Sequence, residues 1–174
     1  YDIVDRPVID KKNFILRYLE ETTYAFKAMK KWVKHKEEID IVHVQSCPTV
    51  LYSILLLKAF LKKPIIYSVF DIFPGSAFDI GVIKNKVVYD LLNWLQKLVY
   101  RLSNKIVVVC EDMKAKVVNL NVPKDKIHII PNWYDDESVA EIPTEENRFI
   151  KKYNIDPNKF HVQFAGTIGY VWDY

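Results

Sequence analysis

The feature that most constrains the fold of this chain is an alternation of short β-branched runs with longer amphipathic segments. Apolar runs at residues 41–45, 65–70, 106–109 and 127–130 have the length and composition of strands. Because a strand–helix–strand order is satisfied by a parallel sheet with right-handed crossovers, the alternation predicts an α/β fold. The strands are nearly continuous apolar runs, which indicates a doubly wound sheet covered on both faces.

Two segments, one before the first run and one between the second and third runs, carry apolar side chains at helical spacing. This is the pattern of one apolar face that a globular protein buries. The stripe of the first consists of Ile15, Leu19, Thr22, Phe26, Met29 and Val33. The stripe of the second consists of Val87, Leu91, Leu95, Leu98 and Leu102. A shorter helix is predicted after residue 45, with Pro48 in its first turn, where proline is tolerated.

Composition shifts near Trp133 and divides the chain into three predicted parts. Residues 1–133 form an incomplete doubly wound domain, and residues 134–159 form a linker with one helix capped by Thr144. Residues 160–174 form the opening strand and loop of a second domain, with the strand at residues 160–165. Since Tyr1 is not preceded by an initiator Met, we expect the chain to come from a longer protein.

The overall composition excludes several classes of protein. Half of the 174 residues are hydrophobic and 27% are charged, which is typical of a globular chain and not of a disordered one. The net charge is only +3, so no basic field indicates nucleic acid as a partner. The longest apolar stretch, residues 50–61, is too short to span a bilayer, and we expect no signal peptide. Cys47 and Cys110 are expected to be free thiols in a reducing compartment.

Polar side chains lie at or just after the end of each predicted strand, where open parallel sheets bind ligands. Gln45 and Cys47 end the first strand region and Asp71 follows the second. Glu111 and Asn132 follow the third and fourth. A purely structural domain also places polar residues here, as caps and turns. Position alone therefore leaves binding and structural roles open.

The segment at residues 71–85 is long for a connection between a strand and a helix. It combines the carboxylates Asp71 and Asp79 with the aromatic rings of Phe73 and Phe78. Sugar hydroxyls need hydrogen-bond acceptors beside an apolar ring face, so this composition favours a sugar site. The alternative is that the two rings simply attach the loop to the sheet.

The glycine-containing turn Gly166, Thr167, Ile168 and Gly169 follows the last predicted strand. Glycines here allow main-chain N–H groups to approach a phosphate, although two glycines also suit an ordinary tight turn. The sequence contains no Asp-x-Asp triplet, no phosphate-binding Walker loop and no metal-like histidine spacing. We therefore predict neither a metal nor another cofactor.

A lysine cluster marks the end of the first predicted helix. It consists of Lys27, Lys30, Lys31, Lys34 and Lys36. Most such clusters are solvated faces that also complement the helix dipole. The sharper alternative is peripheral contact with an anionic membrane.

Five stretches follow one another in a characteristic order over residues 40–170, each at or near the end of a predicted strand. They are Asp40-Ile-Val-His-Val-Gln-Ser-Cys-Pro, Phe70-Asp-Ile-Phe-Pro-Gly-Ser-Ala, Ile106-Val-Val-Val-Cys-Glu-Asp-Met-Lys, Ile129-Ile-Pro-Asn-Trp-Tyr-Asp and Phe164-Ala-Gly-Thr-Ile-Gly. In this order they resemble glycosyltransferase family 4, the retaining enzymes of GT-B architecture. The match is closest to bacterial enzymes of surface-polysaccharide assembly.

The resemblance implies a hexosyl- or N-acetylhexosaminyltransferase, with a nucleotide-diphosphate sugar as donor and a glycan or polyprenyl-linked acceptor. It makes residues 1–133 an acceptor-side domain, with Asp71 as the catalytic residue near the transferred sugar. Glu111 and Asn132 would line the interdomain cleft. Gly166 to Gly169 would lie beneath the donor diphosphate.

The resemblance also implies transfer without a metal and with retained anomeric configuration, the donor phosphate accepting the acceptor's proton. The enzyme would be cytoplasmic, with peripheral contact at the inner membrane face. Two family features, an N-terminal glycine-rich loop and a paired-glutamate donor motif, are absent from the sequence. We therefore do not expect these residues to transfer sugar alone.

Two alternatives stay open at the level of sequence. A sugar-nucleotide epimerase of similar shape would need a set of carboxylates and histidines that we cannot assemble from the sequence. A non-catalytic flavodoxin-like module would close within about 130 residues, and residues 160–174 argue against it.

Overall fold

The computed structural model describes Val4 and residues 14–47, 49–135, 137 and 141–166. Pro48 and the side chain of Ile15 therefore lie outside the described part. The helices of the described part are α1 (Phe14–Lys34), α2 (Val50–Phe60), α3 (Gly75–Asp79), α4 (Lys86–Leu102), α5 (Glu111–Asn119) and α6 (Arg148–Tyr153). The strands are β1 (Val42–Gln45), β2 (Ile65–Val69), β3 (Lys105–Val108) and β4 (Ile127–Ile129).

The strands form one parallel sheet in the order β1-β2-β3-β4. Val42 pairs with Ile65, Tyr67 pairs with Ile106, and Ile106 pairs with Ile127. Each predicted strand is present, with ends that differ by one residue. The α/β prediction, a Rossmann-like half domain with a parallel sheet, is confirmed.

The core lies on one face of this sheet. Tyr67, Ile106 and Val108 are buried there, and α2, α4 and α5 connect successive strands that run in one direction across the sheet. On the opposite face, His43 and His128 are exposed among the described residues. Within the described residues, the connecting helices α2, α4 and α5 thus lie on the core face. The physical reason is that right-handed crossovers repeated in one direction place their helices on the same side.

The predicted stripe of α1 is only partly buried. Glu21, Ala28 and Met29 are buried, whereas Leu19 and Phe26 are more than half exposed. Helical spacing identifies an apolar stripe, but it does not fix the angle at which a helix meets its neighbours. The buried face of α1 is rotated from the predicted one for this reason.

The buried face of α4 is also rotated from the predicted one. This helix begins at an Asn85 cap. The Asn85 side chain accepts hydrogen bonds from the main-chain N–H groups of Val87 (2.9 Å) and Val88 (3.3 Å). The fully buried side chains of α4 are Gln96, Val99 and Tyr100. Two members of the predicted stripe, Val87 and Leu91, are more than half exposed.

Contacts group the chain into two compact units, one ending at Pro131 and the other starting at Asn132. The predicted boundaries at residues 133 and 159 stay predictions. In the second unit, Asn147 and not Thr144 caps the predicted helix, because the Asn147 side chain accepts hydrogen bonds from the N–H groups of Phe149 (2.9 Å) and Ile150 (3.4 Å).

The predicted strand at residues 160–165 is wrong, because the structure assigns no strand to this segment. Phe160 is 93% exposed and Val162 is 88% exposed. An apolar alternating run becomes a strand only when a neighbouring strand supplies its hydrogen bonds. No described segment supplies them here.

Candidate functional site

Three of the parallel strands bring candidate residues to one edge of the sheet. Gln45 is the last residue of β1 and Cys47 follows two positions later, while Asp71 follows two positions after the end of β2. Glu111, the first residue of α5, follows β3. Because the strands are parallel, these residues share the carboxyl edge, the place where open α/β sheets bind ligands.

A cavity of about 730 Å³ opens at this edge, between α1, β1, α2 and the segment after β2. Its wall includes Gln45, Cys47 and Asp71. The structure thus brings three of the predicted site residues together. The volume lies within the range of small-molecule sites in proteins, roughly 300–1,000 Å³.

One wall of the cavity is the inner face of α1, which the sequence did not identify as part of a site. Tyr24, Ala25, Ala28 and Trp32 of this helix line the space. Aromatic rings here provide apolar faces opposite the polar groups of β1 and β2. The signal that could have located them is the helical spacing of these four residues, a second face beside the predicted stripe.

Ser46 fixes the start of the Asp71 segment. Its hydroxyl oxygen accepts hydrogen bonds from the main-chain N–H groups of Phe70 (3.0 Å) and Asp71 (3.3 Å). Its own N–H donates to the Ser68 carbonyl at 2.9 Å. Ser46 therefore joins the end of β1 to the segment after β2. A serine placed directly after a strand, where it can bond to nearby main chain, is the sequence signal for this role.

The Asp71 carboxylate makes no hydrogen bond to another described residue, and its side chain is exposed at the cavity wall. A side chain that caps a loop would accept hydrogen bonds from main-chain N–H groups, as the Asn85 side chain does at the start of α4. Asp71 lacks those contacts within the described ranges, so its carboxylate can accept hydrogen bonds from a ligand.

Tyr67 also contributes to the cavity wall, although its side chain is almost fully buried. Burial first, and then the neighbouring Tyr100, raises the pKa of the Tyr67 phenol well above its usual range, and Cys47 and Asp71 add to this increase. Like an ordinary tyrosine, this phenol is neutral at physiological pH, and the raised pKa disfavours its ionisation further. Tyr67 can therefore act as a hydrogen-bonding group and not as a base.

The connection between β2 and α4 contains α3 and the cis peptide bond between Phe73 and Pro74. The ring of Phe78 lies 4.4 Å from the ring of Tyr89, so Phe78 attaches this segment to α4. Phe73 is half-buried, packs against the core and also lines the cavity. Asp79 ends α3, is exposed and does not belong to the cavity wall.

The remaining predicted site residues are Glu111, Asn132, Gly166, Thr167 and Gly169. Glu111 is exposed and does not line it. Asn132 and Gly166 belong to the second unit and are exposed. Thr167 and Gly169 lie outside the described residues.

The described ranges contain no group of three His, Cys, Asp or Glu side chains placed to hold a metal ion. The same part of the chain contains no helix whose length and hydropathy would allow it to cross a membrane. Cys47 and Cys110 are both free and exposed.

The chain is similar to known proteins over most of its length. Residues 3–138 match the family described as Glycosyltransferase Family 4. The protein named Probable glycosyltransferase WbjE, from Pseudomonas aeruginosa, is 29% identical over 168 residues. This similarity covers 94% of the chain and 41% of the relative, so the chain spans about two fifths of the relative's length. Because the family match includes the whole sheet and the Asp71 segment, the chain belongs to glycosyltransferase family 4.

Proposed function

We propose that this chain is the acceptor-side part of a retaining glycosyltransferase in polysaccharide biosynthesis. The enzyme moves a hexosyl or N-acetylhexosaminyl group from a nucleotide-diphosphate sugar to a glycan or polyprenyl-linked acceptor. The observation that carries this proposal is the cavity of about 730 Å³ at the carboxyl edge, with Asp71 in its wall. Residues 1–133 bind the acceptor, residues 134–159 link the domains, and residues 160–174 begin the donor-binding part.

The cavity wall suits a sugar. The Gln45 amide and the Asp71 carboxylate offer partners for hydroxyl groups, and the rings of Tyr24, Trp32 and Phe73 offer apolar faces for the sugar ring. Cys47 also lines the cavity, with its thiol 3.3 Å from the Thr49 hydroxyl. An acceptor sugar bound here would be held by both kinds of contact.

Asp71 is the catalytic residue in this proposal, because its carboxylate is at the wall and has no competing partner among the described residues. It would hold an acceptor hydroxyl or balance the charge that develops on the transferred sugar. Glu111 and Asn132 would line the donor side of the interdomain cleft. Gly166, Thr167 and Gly169 would approach the donor diphosphate through main-chain N–H groups.

The exposed carboxylate Asp79, on the same segment as Asp71, would contact the acceptor further from the bond that forms. A polyprenyl-linked acceptor resides in a membrane, whereas a nucleotide-diphosphate sugar is water-soluble. We therefore place the enzyme in the cytoplasm, with peripheral contact at the inner membrane face.

The proposal is tested by filling the cavity in the full-length enzyme. Ala25→Trp adds an indole ring to the α1 wall, so the KM for the acceptor should rise at least about tenfold while the KM for the donor stays constant. Ala115→Trp, at an exposed position on α5 outside the cavity, is the matched control. An unchanged acceptor KM, or a rise in the donor KM alone, would place the acceptor elsewhere.

A further inference from the structure

The cavity at the carboxyl edge has two acidic residues in its wall, on two different elements. Asp71 belongs to the segment after β2, and Glu21 belongs to the inner face of α1. Only 8% of the Glu21 surface is exposed, so this residue is not part of the outer surface of the helix. No lysine or arginine of the described residues lines the cavity. The wall therefore differs in charge from the whole chain, whose net charge is +3.

Two other features of the wall also affect its charge. The start of α2 lines the cavity through Thr49 and Val50, and a helix N-terminus carries about half of a positive charge. The ring of His43, another wall residue, is held by Ser68, whose hydroxyl lies 2.8 Å from Nε2. Because half of a charge is smaller than the full charge of one carboxylate, the start of α2 does not neutralise the two acidic residues. The described wall is negative.

A wall of this kind distinguishes ligands by their charge. A carboxylate or phosphate on a ligand loses water when it enters the cavity and is repelled by the acidic side chains. A hydroxyl group can donate a hydrogen bond to either carboxylate. An amine is attracted by both carboxylates and can also lie over the ring of Tyr24 or Trp32, which line the same space.

We infer that Glu21 and Asp71 determine the specificity of this cavity, which accepts a sugar that is uncharged or carries an amine. Uronic acids, sugar phosphates and the diphosphate of a nucleotide are excluded. The choice of a sugar as ligand rests on the proposed function, whereas the selection by charge rests on the wall residues. Specificity is a difference between affinities, so repulsion of the wrong ligand contributes to it as directly as attraction of the right one.

The inference is tested with the methyl glycosides of glucose, glucosamine and glucuronic acid, which share a ring and differ in charge. The corresponding galactose series provides a second set. Saturation-transfer NMR measures their dissociation constants for the chain at about pH 7, where an amine is largely protonated and a uronate is ionised. The amine should bind at least as tightly as the uncharged sugar, and the uronate at least about tenfold more weakly. Uridine diphosphate should not displace the uncharged sugar.

Single variants assign the selection to the two carboxylates. Glu21→Gln keeps the size of the side chain and removes its charge, so the uronate should bind no more than about threefold more weakly than the uncharged sugar. Asp71→Asn should have the same effect, and it provides the test if thermal melting shows that Glu21→Gln does not fold. Glu37→Gln removes a carboxylate from an exposed position outside the cavity and should leave the ratio unchanged.

Ala25→Trp locates the bound sugar, because it fills the cavity and should abolish binding of every sugar. Equal affinities for the three charge types, or a ratio that neither Glu21→Gln nor Asp71→Asn changes, would overturn the inference. If Ala25→Trp still abolishes binding in that case, the proposed function is unaffected. Binding of no sugar in either series, or binding that Ala25→Trp leaves unchanged, would instead count against the proposed acceptor site and overturn both.

Discussion

Tyr100 and Gln96 form a polar pair inside the core, next to the wall residue Tyr67. The rings of Tyr67 and Tyr100 lie 5.8 Å apart, and all three side chains are almost fully buried. Burial raises the pKa of Tyr100 to about 12, and the nearby Gln96 amide opposes this increase. Within the described part, the Gln96 amide and the Tyr100 hydroxyl form no well-aligned hydrogen bond. Burying these polar groups in an apolar environment without such hydrogen bonds costs free energy of folding.

This pair predicts a loss of stability at high pH. Tyr100 has a pKa of about 12 in the folded chain and 10 as an ordinary tyrosine, so above pH 10 the unfolded chain binds fewer protons. The free energy of unfolding should therefore fall with rising pH up to about pH 12, by at most about 1.4 kcal/mol per unit from Tyr100. Urea unfolding across this range measures the slope.

Tyr100→Phe is the control for this prediction, because it removes the titrating hydroxyl and keeps the ring. The variant should lose the Tyr100 share of the slope and keep the share of Tyr67, whose pKa burial also raises. An identical slope in both proteins would show that Tyr100 does not titrate in this range.

The sequence locates the polar residues at strand ends, but it could not show which of them share a cavity. Asp71 was recognisable because it follows an apolar strand and begins a long segment. Whether Asp79 or Glu111 stands beside it depends on the paths of α3 and α5, and these depend on packing that spacing does not encode. Helical spacing could place Tyr24 on an inner helix face, but it does not distinguish a residue that lines a cavity from one that fills a core.

At the scale of elements, the link between β1 and the segment after β2 holds the site in place. Among the described side chains, only the Ser46 hydroxyl accepts hydrogen bonds from the main-chain N–H groups of both Phe70 and Asp71. It touches no reacting atom in the proposed mechanism, so it acts as a positioning residue for Asp71.

The strands themselves were predictable, since each is a short apolar run between breaks in periodicity.

Ser46→Ala should lower turnover of the full-length enzyme about tenfold, because Asp71 would lose its fixed geometry. The free energy of unfolding should fall by about 1 kcal/mol, the value of a typical hydrogen bond. Thr23→Ala, which removes an exposed α1 hydroxyl bonded to the Leu19 carbonyl at 2.9 Å, is the control. Ser46→Thr keeps the hydroxyl and should retain more turnover than Ser46→Ala. Equal turnover in Ser46→Ala and the unmodified enzyme would limit Ser46 to a structural role.

The buried faces of the helices could not be predicted as well as the helices themselves. Leu19 and Phe26 on α1, and Val87 and Leu91 on α4, have the spacing of a core stripe and lie in solvent. An apolar stripe has a low free energy either in a core or against another apolar phase, and spacing does not distinguish these environments. The predicted strand at residues 160–165 failed for a related reason, because a strand depends on a partner that its own sequence does not contain.

At the scale of the whole molecule, the chain covers 41% of its P. aeruginosa relative, and its described part contains a parallel sheet with a cavity at the carboxyl edge. In our proposal most donor contacts lie outside these 174 residues. The chain alone should therefore transfer no sugar and bind nucleotide-diphosphate sugars weakly. Calorimetry with a panel of such sugars tests this, and micromolar binding, about −8 kcal/mol, would mean that the donor site lies within this chain.

The central claim is that Asp71 acts on the reacting sugars from the cavity wall. Asp71→Asn keeps the shape of the side chain and removes its charge, so the fold should be unaffected. Loss of a transition-state contact should cost about 3 kcal/mol, on the order of a hundredfold in turnover. Asp112→Asn, at an exposed position on α5 outside the cavity, controls for loss of one carboxylate.

The decisive measurement is turnover and thermal midpoint on the same preparation of full-length Asp71→Asn enzyme. We expect turnover to fall on the order of a hundredfold while the midpoint matches that of the unmodified enzyme. Turnover within about threefold of the unmodified enzyme, a difference of roughly 0.7 kcal/mol, would contradict it and place the chemistry at other residues.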